Sequence, residues 1–519
     1  MGDLQLMVVF SFLRKFWRNR CANVAVTFAV AALPVSMMVG MGVDIANASR
    51  VKLALQDATD EAALSLARQQ STIADSAITT TAQSYVMASY NKTATISVTN
   101  ATIDRTNIIA TIDDQATVPL FFSQLVGVSS MTVHAHAVAQ GLQLEVSLVL
   151  DTSGSMAQTA GTGGAKIVAL RTAVSDFLTN MFGAQTSSQR VSIGIVPFST
   201  AVRIVPAGTT PSSTYMDTGG LEGDPYGDFD TTTYNRFQLF TQMNQSWGGC
   251  VMTRPPPYDL TDDAPTTSNP ATLFIPWFAP DEPDTNLSFG YSQYENDYIL
   301  DTGGTCSGST FGKSDLWREQ RSCKYKNATP SSGLGPNYLC VSNAITPLTN
   351  TLSTLTTAAN ALQANGDTNI LEGVMWGWRV LSPGQPFTQG KAYGAPNNRK
   401  VIILMTDGMN NYNGVNNMDD SYYFTYGFAR NGLLGQATTN NSTLNSLLDA
   451  KTLQACTNAK AMGIVIYTIG FGSGADGSAP LLQSCATDPT YYYAPVNSSD
   501  LDPVFQKIAQ SINNLRISQ

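Results

Sequence analysis

Between Cys21 and Val43 the chain carries no charged side chain, and Arg14, Lys15, Arg18 and Arg20 stand just before that stretch against a single acidic residue, Asp3. Few structures can accommodate such a run, because a lipid core requires every backbone polar group to be satisfied within the segment. As a helix, residues 21–43 reach about 34 Å, enough to cross the hydrocarbon of a bilayer. The basic flank then keeps the N-terminus in the cytoplasm and sends everything after Asp44 to the other side. A cleaved signal peptide is the rival reading, with Ala46-Asn47-Ala48 as a small-x-small cleavage site. The apolar stretch is, however, longer than the roughly 7–15 residues of a signal core. The expectation is a single-pass anchor at 21–43, preceded by a cytoplasmic basic segment at 1–20.

Bulk composition supports an extracytoplasmic protein. Only 13% of the 519 residues are charged, while 41 are Gly and 24 are Pro. The formal net charge is −9 and no basic stripe follows the first twenty residues, which argues against a nucleic-acid partner. Beyond Cys21 the cysteines are Cys250, Cys306, Cys323, Cys340, Cys456 and Cys485. An even set in an oxidising compartment reads as disulfides rather than as a Cys-x-x-Cys metal or redox motif. The expected pairs are Cys456–Cys485, flanking one strand in an α/β unit, Cys250–Cys340, closing an insertion, and Cys306–Cys323 nested within it; the four cysteines of the insertion could also pair the other way round.

After the anchor, Ile45, Ala48, Val51, Leu55, Ala58 and Ala62 recur at steps of three and four, the spacing of one helix face. From Thr93 to Gln140 the pattern changes to short β-like runs at 94–98, 107–112 and 131–138. Residues 44–140 are therefore expected to form a helix with a small sheet, a pilin-like α+β module. From 141 to 519 the pattern is α/β. Strand-like runs at 144–150, 191–198, 401–405, 463–469 and 491–493 alternate with helical ones at 167–181, 349–364, 370–381, 441–461 and 500–515. That alternation predicts a doubly wound, mainly parallel sheet covered on both faces. An insertion at about 206–345, rich in Pro, Tyr, Gly and Asp, interrupts it between an edge strand expected at 201–205 and the run Ile345–Thr349.

The chemistry lies in three loop pieces. Asp151-Thr152-Ser153-Gly154-Ser155 leaves the end of one apolar strand, Asp407-Gly408 leaves the end of another, and Thr368 stands in Asn365-Gly366-Asp367-Thr368-Asn369. Two carboxylates and three hydroxyls are hard oxygen donors, suited to a small hard cation such as Mg2+ or Mn2+. Each piece alone has a plainer reading as a helix cap or turn; their joint, ordered occurrence favours a metal site. In open α/β sheets, sites gather at the carboxyl ends of strands, where Asp151 and Asp407 fall.

This Asp-x-Ser-x-Ser, Thr, Asp set resembles the metal-ion-dependent adhesion site (MIDAS) of von Willebrand factor A (VWFA) domains. The resemblance implies direct cation contacts from Ser153 and Ser155, joined by Thr368 when ligand is bound, with Asp151 and Asp407 acting mainly through waters. A carboxylate from a protein partner would fill the remaining coordination place. In the usual topology of such domains, the roots of the insertion are expected at the sheet end opposite the metal.

The N-terminal segment resembles another family. Arg18-Asn19-Arg20-Cys21-Ala22-Asn23-Val24-Ala25-Val26, then Val43-Asp44, then Leu55-Gln56-Asp57-Ala58-Thr59-Asp60-Glu61-Ala62-Ala63-Leu64 is similar to the start of TadE/TadG-like Flp (tight-adherence) pilus-assembly proteins. With the C-terminal domain, the whole is similar to the TadG branch, including Trp376-Gly377-Trp378-Arg379-Val380-Leu381-Ser382-Pro383 and the ending at 515–518. The Gly and Glu that prepilin processing needs are missing around Cys21-Ala22, so prepilin-type cleavage is not expected. The resemblance implies a bacterial inner-membrane protein with a periplasmic bulk, working as a metal-dependent scaffold or adaptor among pilus-assembly components. The alternative is a pilus-associated adhesin using the same site.

Catalysis is not expected. His134 and His136 alternate on a strand of the pilin-like module, away from any nucleophile. Gly161-Thr162-Gly163-Gly164-Ala165-Lys166 lacks the ending of a phosphate loop, and Asn410–Asp420 lacks the Gly and terminal Glu of an EF-hand.

Overall fold

The computed structural model describes residues 20–69, 73–105, 108–230, 235–284, 294–331 and 333–515. The chain divides into two compact units, 1–141 and 142–519. The basic segment expected at 1–20, apart from Arg20, and the ending at 516–518 lie outside the described residues.

In the first unit the uncharged stretch and the amphipathic one form a single helix, α1 (Arg20–Gln69). Part of it is long and apolar enough to cross a membrane. Its later half buries Ala48, Val51, Leu55, Ala58, Ala62 and Leu66. These small and apolar side chains pack on α2 (Ile78–Ser89) and on an antiparallel sheet of β1 (Thr95–Asp104), β2 (Ile109–Pro119) and β3 (Ser130–Gln140). Ile45, expected on the buried face, is instead exposed; the packed face begins one turn later, at Ala48. Strand β2 alternates as a half-buried strand should, with Ala110, Ile112, Asp114 and Ala116 turned inward.

Asp114 is the polar exception on that inner face. Thr59 Oγ1 donates to its Oδ2 at 2.8 Å, while Oδ1 has no hydrogen-bond partner among the described residues. Burial, reinforced by neighbouring Asp113, lifts its pKa from the ordinary 3.8 to about 6. A carboxyl whose folded pKa is raised favours folding at low pH, and that contribution is lost as pH rises through the folded value. Hydrogen exchange of residues 108–118 in the full chain, corrected for intrinsic rates, should therefore show openings about 1–2 kcal/mol easier at pH 8 than at pH 4, after discounting for partial solvation. Asp114→Asn should remove the difference; an unchanged pH dependence would refute this account.

The second unit is built on a six-stranded sheet ordered β6-β5-β4-β7-β8-β9. The strands are β4 (Gln143–Asp151), β5 (Val191–Phe198), β6 (Thr346–Thr349), β7 (Asn398–Thr406), β8 (Val465–Gly470) and β9 (Tyr492–Tyr493). All neighbours are parallel except the edge pair β5–β6. The central strands are buried on both faces, which explains their predominantly apolar sequences. On one face, α3 (Lys166–Phe182) packs with the helices Leu352–Ala361 and Leu501–Leu515. On the other, the wholly buried helix Ile370–Leu381 packs with Asn441–Ala461 and Ala479–Cys485.

The disulfides are Cys250–Cys340, Cys306–Cys323 and Cys456–Cys485, the pairs read from the sequence. The insertion does not stand apart from the sheet. Its Phe274 ring lies 4.9 Å from that of Trp376 on helix 370–381, and Phe229, Phe240, Phe278 and Tyr325 join the same core.

Two expectations about its roots fail. Residues 201–205 form no strand; Arg203 makes only isolated bridges, to Cys250 and Ala344, and the edge strand is β6, where Pro347 is tolerated because an edge leaves some donors unpaired. Nor does the insertion leave from the end opposite the candidate site. Strand β5 runs parallel to β4 with Phe198 opposite Asp151, so the chain enters the insertion at the same end of the sheet as Asp151.

Candidate metal centre

Parallel pairing of β4 with β7, Leu150 opposite Met405, brings the two strand ends side by side. Asp151 is fully buried there. Its Oδ1 accepts from Ser153 N at 2.8 Å, which turns the loop sharply, and its Oδ2 accepts from Thr406 Oγ1 at 2.6 Å. The turn points Ser153 and Ser155 to the same side, with their Oγ atoms 3.0 Å apart. Ser155 Oγ then donates to Asp407 Oδ1 at 2.6 Å. Asp151, Ser153, Ser155 and Asp407 thus form one chain of contacts built from both strand ends.

Thr368 arrives on a third loop held by backbone bonds. Gly154 N donates to Gly366 O, and Asn365 N to Thr152 O, both at 2.8 Å. Thr200, just past β5, accepts from Asp367 N at 2.8 Å through its hydroxyl. Asn410 Oδ1 accepts from Ile370 N at 2.8 Å, and the N-cap of the following helix is Asn369, not Thr368. The Thr368 hydroxyl stands 3.9 Å from where a Cβ on Gly408 would lie, so it borders the Asp407 turn. All five residues expected at the site are brought to one end of the sheet.

Electrostatics set this cluster apart from an ordinary turn. Burial, then the nearby Asp407 charge, push the Asp151 carboxyl up to about 7. Lys166, the first residue of α3, reaches across so that its Nζ lies 2.8 Å from Asp407 Oδ2, with both side chains buried. Sequence reasoning overlooked Lys166 and Thr406. A signal for the first existed: a cation in the opening turn of a helix opposes the macrodipole and needs another partner.

The donor chemistry fits a small hard ion. Oxygens on an octahedral magnesium ion, bound at about 2.1 Å, stand about 3 Å apart along each edge, the spacing between Ser153 and Ser155 Oγ. Among the described residues, no group of three or more His, Cys, Asp and Glu could hold a metal; an ion here would lean on hydroxyls. The insertion also borders the site. Glu295, within it, helps raise the Asp367 carboxyl, second to burial. His136 is bound up in the other unit, its Nδ1 2.6 Å from Asp113.

The fold and this oxygen cluster define a class: an α/β protein with a loop-built, hydroxyl-rich site, carried on a chain whose described residues include an apolar helix long enough for a membrane. Residues 22–78, in the N-terminal unit, match the Flp pilus-assembly TadE/G-like family. No curated protein matches the chain. Among solved structures, the chain is similar to the vWF domain of the type V pili tip protein Mfa5 from Porphyromonas gingivalis, at 13% identity and a TM-score of 0.34, covering 73% of this chain and 97% of that one. It is also similar to the adhesive tip pilin GBS104 from Group B Streptococcus agalactiae, at 12% identity and a TM-score of 0.35, covering 71% and 100%. The pilus adhesin SpaC from Lactobacillus rhamnosus GG matches at 13% identity and a TM-score of 0.32, covering 81% of this chain but 34% of that one.

Proposed function

We propose that this chain is a TadG-like, inner-membrane-anchored scaffold or adaptor of Flp pilus assembly, with a periplasmic von Willebrand factor A-type domain that grips a partner carboxylate through a bound magnesium or manganese ion. The observation that carries the reading is the convergence of Asp151, Ser153, Ser155, Thr368 and Asp407 on one end of the sheet. Ser153 and Ser155 would hold the ion directly, joined by Thr368 on ligand binding, with Asp151 and Asp407 acting mainly through waters. Neutral hydroxyl donors leave a dication most of its charge, and an acidic side chain of another pilus component is the natural complement. In this reading the site works by binding, without catalysis.

The test is a pull-down of pilus-assembly components from membranes by the full chain. Capture should require magnesium or manganese and vanish on chelation; capture indifferent to chelator would remove the metal from the mechanism. Fractionation belongs to the same experiment. Protein retained with inner membranes supports the scaffold, whereas protein recovered in sheared pili would replace it with an adhesin.

A further inference from the structure

The turn between β2 and β3 in the N-terminal unit is apolar and exposed. Phe121 is 74% and Leu125 68% accessible, and Phe122, Val126 and Val128 are exposed beside them. From Gln115 to Leu144 the sequence has no Asp, Glu, Lys or Arg. A water-facing loop tip would ordinarily carry polar turn residues, and clustered large apolar side chains on a surface mark an interaction site.

The loop is fixed to α1 at one place. Asp44 accepts the backbone N–H groups of Phe121 at 3.1 Å, Phe122 at 3.0 Å and Ser123 at 2.7 Å, together with the Ser123 hydroxyl at 2.8 Å. Asp44 is also the first charged residue after the uncharged stretch. The Phe122 ring lies against Gly40 so closely that a Cβ there would come within 2.5 Å of it. Gly40 is one helical turn, about 6 Å, back along α1 from Asp44. The loop therefore hangs from the end of the candidate span and folds back along it, toward the side a bilayer would occupy. Around it α1 exposes Val35, Val39 and Val43, so helix and loop present one continuous apolar collar.

We infer that the Phe121–Val128 loop is a second membrane contact, seated in the boundary between headgroups and acyl chains beside the transmembrane helix. This rests on the reading of residues 21–43 as a membrane span. Apolar groups on a surface element bury about 5–10 Å into that boundary, which matches a loop lying roughly one helical turn below Asp44. Asp44 would stay at the headgroup level, its charge engaged by four donors from the loop. The collar fixes the depth at which the helix sits.

The test uses the full chain with Cys21→Ser, leaving the disulfide cysteines paired, and one added cysteine carrying a bimane label, in vesicles of phosphatidylcholine and phosphatidylglycerol. Some vesicles contain acyl chains brominated near the headgroup end. Labels are placed by Leu125→Cys in the loop, Val39→Cys in the span and Leu53→Cys, farther along α1. Labels at Leu125 and Val39 should each lose about half of their emission to the bromines, and the one at Leu53 almost none. Quenching at Val39 without quenching at Leu125 overturns the loop contact and leaves the span standing. No quenching at either position overturns the span and the loop with it. Equal quenching at Leu53 overturns the proposal by showing that the whole helix lies along the surface.

Discussion

Replacing Asp151 with alanine is expected to abolish magnesium-dependent partner capture while leaving the fold in place. Asp151 fixes the Ser153 turn and holds Thr406, so its loss removes both a carboxylate and the support that aims the serine hydroxyls. Outer partners of metal ligands are typically worth about 10–100-fold in affinity, and a residue that also shapes the loop belongs at the upper end. The cost to stability should be smaller. Two donors lose their acceptor, about 1–3 kcal/mol each at most, but a buried carboxyl disfavoured by its surroundings and by Asp407 is removed as well. Circular dichroism and thermal unfolding of Asp151→Ala should therefore resemble wild type, with capture reduced to the level seen in chelator. Full capture by this variant would mean that the oxygen cluster is structural.

A large loss of stability is expected from opening Cys456–Cys485. Both cysteines are fully buried, one on helix 441–461 and the other on helix 479–485, and they close a loop of 29 residues. Loop-closure entropy for that length gives about 3–4 kcal/mol, and Cys485→Ser adds an unpaired thiol and a buried hydroxyl. Thermal or urea unfolding of Cys485→Ser should show a loss of at least that size. A loss below about 1 kcal/mol would mean that packing, not the cross-link, holds these helices.

The sequence revealed those parts of the fold where burial alone decides structure. Val401–Met405 is an unbroken apolar run and Leu144–Leu150 is broken only by Glu145 and Ser147, because helices cover both sides of the sheet, and the observed strands extend them by one to three residues at each end. Helix α2 was overlooked. Ile78-Thr79-Thr80-Thr81 is a β-branched run of modest helix propensity, and only the four-residue spacing of the buried Ile78, Ala82 and Val86 betrays a tertiary surface that overrides it. The site pieces were legible as motifs, but their connections were not. Thr406, Thr200 and Asn410 have no signature in sequence because each matters only through where the sheet puts it. The misplaced insertion had a physical rule against it: a strand that follows a crossover helix runs parallel to the strand before, so β5 had to end beside Asp151.

Lys166 gives the centre a resting arrangement of its own. The ammonium is covalently tied to the fold and already sits against Asp407, so the loops need not wait for an ion before they can assemble. If the proposed dication binds here, it would meet a partnered carboxylate and have to displace, or share with, a rival that cannot diffuse away. Its affinity would then be the difference between two associations rather than the strength of one. Loading would be an exchange reaction inside a finished structure, and a magnesium titration would read occupancy instead of folding.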